Sequence, residues 1–393
     1  MGMESVFGEA VDRIGGEPIS ARMARKAPIR HIDPTLLLAT VALAVYGAVM
    51  IFSATANKQG AEGLDPTTFL QRQIAYMVAG VVLVIALTLF DYRHLGGFAA
   101  FVYGATVLGL VVVLTPLGDV QKGASRWIDF GVFQAQPSEF GKLALIVALA
   151  AYLAERKGDL RALDVAISVV LVGIPGVLIF LEPDLGSAMV YVALAGALLL
   201  VGGAKLRHFA TLCALGLVGV VVVIQAGVLH DYQIARLTSF LDPNPDVQSD
   251  AYNLTQSKIA IGSGGLHGKG LHGENTQTSL DFVPEQHTDF IFTAVGEQLG
   301  FVGAATLLAL FALLIWRALR IAAMSRDLFG TLLATGVAAL WAFQVFVNVG
   351  MTMGIMPITG IPLPFVSYGG SSLVTNFVAV GLLLNVHMRR FLT

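Results

Sequence analysis

The chain has 393 residues, 56% of them hydrophobic and only 13% charged, with a mean hydropathy of +0.76. An average globular domain is about a quarter charged, so water is not the main solvent here and the composition predicts a polytopic membrane protein. A net charge of −2 without a long Lys/Arg run excludes a nucleic-acid partner, and the single cysteine, Cys213, excludes an intrachain disulfide or a two-cysteine metal site.

Residues 1–33 carry Arg13, Arg22, Arg25, Lys26 and Arg30 and lack the apolar stretch and cleavage site of a signal peptide, so they read as a cytoplasmic tail. Apolar runs then predict ten helical spans at about 35–55, 74–90, 96–116, 139–154, 165–181, 185–203, 209–229, 290–316, 329–350 and 371–388. The fold class is therefore all-α, with one membrane domain over 34–390 and a large loop, 230–289, between spans 7 and 8. An even number of spans puts both termini on one side. Sixteen of the 24 Lys and Arg residues lie in the tails and in the loops of that side, which the positive-inside rule makes cytoplasmic. The other eight are Lys58, Arg72, Lys122, Arg126, Lys142, Arg236, Lys258 and Lys269. Most of these fall in or beside Gly123–Lys142 and Tyr232–Asp289, where Gly, Pro, His and carboxylates also gather, and a loop as long as 230–289 is more than a connector.

Gly123-Ala-Ser-Arg126-Trp-Ile and Gln136-Pro-Ser-Glu139-Phe-Gly-Lys142 open the fourth span. Ser138 is the expected helix cap, and Glu139 and Lys142, three residues apart, share a helix face. They read either as a self-neutralising structural pair or as the lining of a wet cavity, because two charges in an apolar span are costly. Glu182-Pro-Asp184-Leu-Gly-Ser187 reads as a structural turn with Asp184 capping the next helix. Cys213, inside an apolar run, reads as packing. Glycines between Lys258 and Gly273 would let backbone N–H groups approach a phosphate, with Lys269 as a point charge, although plain loop turns leave the same pattern. Glu285, His287 and Asp289 stand just before the eighth span. Thr288 or Asp289 fits as its N-cap, but ionisable groups at membrane depth also mark sites, and a helix N-terminus favours an ionised Asp289, the form a general base needs. The Pro- and Gly-rich stretch from Pro357 to Ser372 predicts an irregular re-entrant segment with a packing role.

Those motifs, together with Phe240-Leu-Asp-Pro, Gln256-Ser-Lys-Ile-Ala-Ile-Gly-Ser-Gly-Gly, Pro284-Glu-Gln-His-Thr-Asp and Gly360-Ile-Pro-Leu-Pro-Phe-Val-Ser-Tyr-Gly-Gly-Ser-Ser, resemble the SEDS family (shape, elongation, division and sporulation), its RodA-like members more than FtsW. The resemblance runs from the first span to the tenth. It implies a peptidoglycan glycosyltransferase that polymerises lipid II at the outer face of a bacterial plasma membrane during elongation and cell-shape maintenance. It implies as partners a class B penicillin-binding protein transpeptidase and other elongation-complex membrane proteins. It makes Asp289 the catalytic carboxylate and Arg126, Glu139 and Lys142 substrate-binding residues, with Lys269, Glu285 and His287 as further candidates.

The chemistry is compatible with these residues. A polyprenyl diphosphate leaves as an anion and needs cations more than an acid, whereas a glycoside hydrolase would want two carboxylates about 5–9.5 Å apart. A divalent cation, Mg or Mn, would share the diphosphate charge, with Asp289 or Glu285 as ligands, but no ligand set is legible. The alternatives are a lipid II flippase or other membrane transporter, which would place its charges near the midplane, and a docking scaffold, which leaves Asp289, Arg126 and Lys142 unexplained.

Overall fold

The computed structural model describes residues 31–61, 63–116, 118–121, 124–131, 133–156, 160–225, 227, 250–271, 276–278, 282 and 285–391. Within them the chain forms α1 (Pro34–Ala61), α2 (Thr68–Leu89), α3 (Arg93–Val113), a small sheet of β1 (Asp119–Gln121), β2 (Ala124–Asp129) and β3 (Gln134–Ala135), then α4 (Pro137–Ala154), α5 (Ala162–Leu181), α6 (Leu185–Val201) and α7 (Leu206–Gln225). The polar helix α8 (Asp250–Ser263) follows, and α9 (Ile291–Met324), α10 (Leu328–Met353) and α11 (Gly370–Met388) complete the bundle. Eight of these helices are long and apolar enough to cross a membrane, and α6 and the first part of α7 are shorter apolar helices. These ten correspond to the ten predicted spans. Lys122, Arg236, the Phe240–Pro243 motif and Pro284 lie outside the described residues.

The centre of the bundle is α11, whose spanning window is 94% buried, while α2 and α3 bury only 17% of theirs and turn most of their surface outward. Trp341 of α10 donates its indole N–H to Asn376 of α11 at 2.7 Å, satisfying two polar groups where water is absent. Side-chain contacts define two opposite ends. At one, Arg317 pairs with Asp33, Asn385 donates to Leu87 O and Phe90 O, and Tyr92 bonds Asp327. The chain's described beginning and end both lie there. The other end carries the sheet, the α5–α6 turn, α8 and the 354–369 segment, and is called the loop face below.

Several local expectations change. The antiparallel sheet β1-β2-β3 and helix α8 emerge from stretches read only as loop. The eighth span is longer than expected and is interrupted: Gly300 sits at φ 65°, ψ −161°, so α9 is a buried half-helix, 291–299, joined through a kink to a second half, 301–324. The N-cap position is Phe290 rather than Thr288 or Asp289, and the Phe290 side chain makes no cap bond. At α4 the N-cap position is Gln136 with Pro137 at the start, a place where its missing N–H costs nothing, so Ser138 is inside the helix rather than capping it. Asp184 does cap α6, accepting from Ser187 N at 3.0 Å. Cys213 is exposed, not packed, because the described side chains of α7 other than His208 are exposed or half-exposed.

Candidate functional site

Glu139 and Lys142 lie one helical turn apart near the start of α4 and form a direct ion pair. Their exposures are 3% and 1%, so each supplies the counter-charge that makes the other's burial tolerable. Tyr191 of α6, also fully buried, donates its hydroxyl to Ser138 O at 3.3 Å and ties α6 to this turn. Arg126, on β2, donates from Nε to Glu182 O at 3.0 Å and from Nη2 to Pro183 O. The guanidinium thus holds the α5–α6 turn and keeps three further N–H donors of its five.

That turn contains a group the sequence reading had set aside as structural. Glu182 is 1% exposed, and among the described residues neither carboxyl oxygen has a hydrogen-bond donor. Burial, with Asp184 adding to it and Arg126 opposing, pushes its acid up to about 8. Nothing local in Glu-Pro-Asp-Leu-Gly-Ser signals this, because the walls that bury Glu182 come from distant segments.

The turn also reaches the large loop. A Cβ on Gly186 would collide with Thr359 O. The next residue, Gly360, sits at φ +69°, where a side chain is strained, and a Cβ there would stand 3.2 Å from Asp289 Oδ2. Gly360 therefore lets backbone lie directly against the carboxylate of Asp289. The surrounding segment fixes the backbone of the His-Thr-Asp turn. Asn348 of α10 donates to both Asp289 O and Ile361 O at 2.8 Å. Ser367 donates to Thr288 O at 2.6 Å while accepting from Leu363 N, and Tyr368 N donates to His287 O at 2.9 Å. The re-entrant stretch is indeed packing, and what it packs is the site. Gly360 and Ser367 belong to the Pro- and Gly-rich motif that the sequence marks out, whereas nothing in the sequence singles out Asn348.

His287 places its ring 4.9 Å from that of Phe69 and 5.8 Å from that of Tyr368. Burial raises the Tyr368 hydroxyl pKa and neighbouring Arg72 draws it back, which puts Arg72 on the same patch. Glu285 has φ +54° and builds the turn itself: Thr288 N and Phe290 N donate to its carbonyl, and Thr288 Oγ1 donates to its carboxylate at 3.0 Å. Lys269 is not placed with the others. Its ammonium pairs with Glu297 of α9 at 3.0 Å, and Glu297 also accepts from Gln277 N, Thr278 N and Thr278 Oγ1. The glycine-rich segment is no phosphate cradle either, since Gly268 N, Lys269 N and Gly270 N donate to Gly264 O, Glu297 O and Gln298 O. Its glycines permit backbone-to-backbone contact with α9 around the Gly300 kink. Among the described residues no three His, Cys, Asp or Glu side chains come together as a metal site.

A buried ion pair, a buried carboxyl and a braced aspartate at one end of an apolar helical bundle define a multi-pass membrane protein with a polar site at its loop face. The chain belongs to the FtsW/RodA/SpoVE family of cell cycle proteins, which matches residues 34–391. It is 39% identical over 370 residues to the peptidoglycan glycosyltransferase MrdB of Escherichia coli K12, covering 92% of this chain and 94% of that protein. It is 38% identical over 363 residues to stage V sporulation protein E of Bacillus subtilis 168, covering 90% and 96%. Among solved structures, the rod shape determining protein RodA of Thermus thermophilus aligns with TM-score 0.68 at 32% identity, covering 92% of this chain and 98% of that one. A chain of a peptidoglycan synthase complex that coordinates polymerization and crosslinking aligns with TM-score 0.77 at 35% identity, covering 92% and 99%.

Proposed function

We propose that this chain is a peptidoglycan glycosyltransferase that polymerises lipid II during cell elongation and shape maintenance, with Asp289 as general base. The observation that carries the reading is the run of contacts from the Glu139–Lys142 pair through Tyr191 and the Arg126-held turn to Gly360 and the carboxylate of Asp289. It links the braced carboxylate of Asp289 to Arg126 and Lys142, cations of the kind an anionic leaving group needs.

In the reaction the acceptor sugar hydroxyl attacks the donor's anomeric carbon, its proton passes to Asp289, and the bond from that carbon to the polyprenyl diphosphate breaks. The diphosphate leaves as an anion beside Arg126 and Lys142. Arg126 offers the planar fork that matches phosphate oxygens, and the bonds to Glu182 O and Pro183 O pre-orient it. No step is routed through a metal, since the described residues offer no ligand set; Mg or Mn would enter with the diphosphate itself. On this reading the loop face is extracytoplasmic and both termini are cytoplasmic. The partner is a class B penicillin-binding protein transpeptidase within the elongation complex, in keeping with the relative that works in a synthase complex. A flippase or transporter is disfavoured by the position of these groups at helix ends rather than at the midplane.

The test is polymerisation of labelled lipid II by the purified full chain with its transpeptidase, read as a glycan ladder. A base contributes about 10²–10⁴-fold, so Asp289→Asn should lower turnover at least a hundredfold with an unchanged melting temperature. Normal turnover by a folded D289N enzyme overturns the assignment, and Glu285 is then the next carboxylate to replace.

A further inference from the structure

Glu182 has no role in the mechanism above, yet its turn joins β2, α6 and the Thr359–Gly360 backbone. Its turn is held by Arg126 of β2, is followed by the Asp184 cap of α6, and abuts Thr359, one residue from the glycine that touches Asp289. A carboxylate with both oxygens buried and undonated is costly in its ionised form. Evolution of a packed interior would ordinarily favour an apolar or amide side chain at such a place.

Two charges act on Glu182 directly, Asp184 on its own turn and Arg126 on β2. Tyr191 of α6 stands among Glu182, Asp184, Tyr103 of α3 and Glu139 of α4, and the ion pair of Glu139 with Lys142 completes the cluster. Arg126 and Lys142 are balanced by Glu139 and Asp184. An ionised Glu182 would therefore leave the cluster net negative just where a diphosphate must settle.

We propose that Glu182 is a charge-setting residue of the donor site, remaining a carboxylic acid while the diphosphate is bound, so that donor binding takes up a proton wherever free Glu182 has ionised. The proposal rests on the donor-site reading above. Its consequence is a pH dependence with a definite sign. Burial keeps Glu182 protonated up to about pH 8, so binding is insensitive to pH below that value. Above it, each pH unit weakens binding about tenfold, because one proton must be regained. A diphosphate esterified at both ends keeps its two charges across this range, so the alkaline limb belongs to the protein.

The probe is a fluorescent polyprenyl-diphosphate-linked disaccharide, titrated into the purified full chain in detergent from pH 6 to 10. The unaltered protein should show a Kd flat to about pH 8 and then rising about tenfold per unit, while Glu182→Gln, fixed in the neutral form, should show no such limb. Calorimetry of the unaltered protein in two buffers of different ionisation enthalpy supplies a second readout that needs no variant: about one proton taken up per donor at pH 9 and none at pH 7. The same limb in E182Q, or no proton uptake at pH 9, overturns the role of Glu182. Failure of the donor to bind either protein at any pH overturns the donor-site reading and this proposal with it, whereas full polymerisation by D289N would touch only the base assignment.

Discussion

Lys142 and Glu139 cannot be altered one at a time without stranding a charge inside the bundle. Removing one partner of a buried pair costs about 3–5 kcal/mol. Lys142→Met should therefore lower the melting temperature in detergent sharply, and the double variant E139Q/K142M should recover most of it. If Lys142 also contacts the diphosphate, the double variant stays inactive in the glycan-ladder assay although it is stable. Glu182 makes the opposite kind of prediction. Its acid is near 4.5 when unfolded and about 8 when folded, so between those values the folded protein holds a proton that the unfolded chain has released. Stability then falls as pH rises through this window, by on the order of 5 kcal/mol in all. Thermal melts of E182Q should lack that decline and run above those of the unaltered protein at pH 8. The Glu139–Lys142 pair was legible in the sequence because its partners are three residues apart on one helix. Glu182 was not, because residues far away in the chain bury it.

At the level of elements, the described residues 264–271 and 276–278 of the large loop are fastened to α9. Glu297 is the fastener, accepting from Lys269 Nζ and from three donors of Gln277 and Thr278. Stranding buried donors costs about 1–3 kcal/mol each, so Glu297→Ala should lower the opening free energy of residues 264–271 and 276–278 by at least 3 kcal/mol. Hydrogen exchange of those amides would then speed up by about a hundredfold or more, while amides in α11 keep their protection. Gly186→Ala tests the other seam. Its methyl meets Thr359 O, which must shift, carrying Gly360 away from Asp289; polymerisation should drop at least tenfold with the bundle still folded. Hydropathy located all ten apolar helices because apolar length is written directly into composition, but it misplaced the end of α1, the start of α2 and the end of α9 by six to eight residues. It missed the break at Gly300, since one glycine leaves no mark in an apolar average, and it missed α8, whose polar face and short length resemble loop.

For the whole molecule, the contacts that join residues 33, 87–92, 317, 327 and 385 fix one end of the bundle, and the site lies at the other. The proposed orientation rests on the basic residues of the sequence, and labelling can check it. In a Cys213→Ser background, needed because Cys213 is exposed, Lys258→Cys should react with a membrane-impermeant maleimide on intact cells and Ser325→Cys should react only after lysis. The reverse pattern would invert the molecule and remove its access to an extracytoplasmic substrate. The kink in α9 also sets a depth. Before Arg317, residues 301–316 rise only about 24 Å, so the half-helix 291–299 completes the roughly 30 Å of hydrocarbon. The whole stretch 291–316 rises at most about 39 Å, which puts Asp289 at most about 12 Å beyond the acyl chains. On the proposed reading a lipid-anchored sugar meets Asp289 at headgroup level, with the prenyl tail never leaving the leaflet, so a growing strand would be fed sideways along the membrane surface instead of being drawn up through the protein.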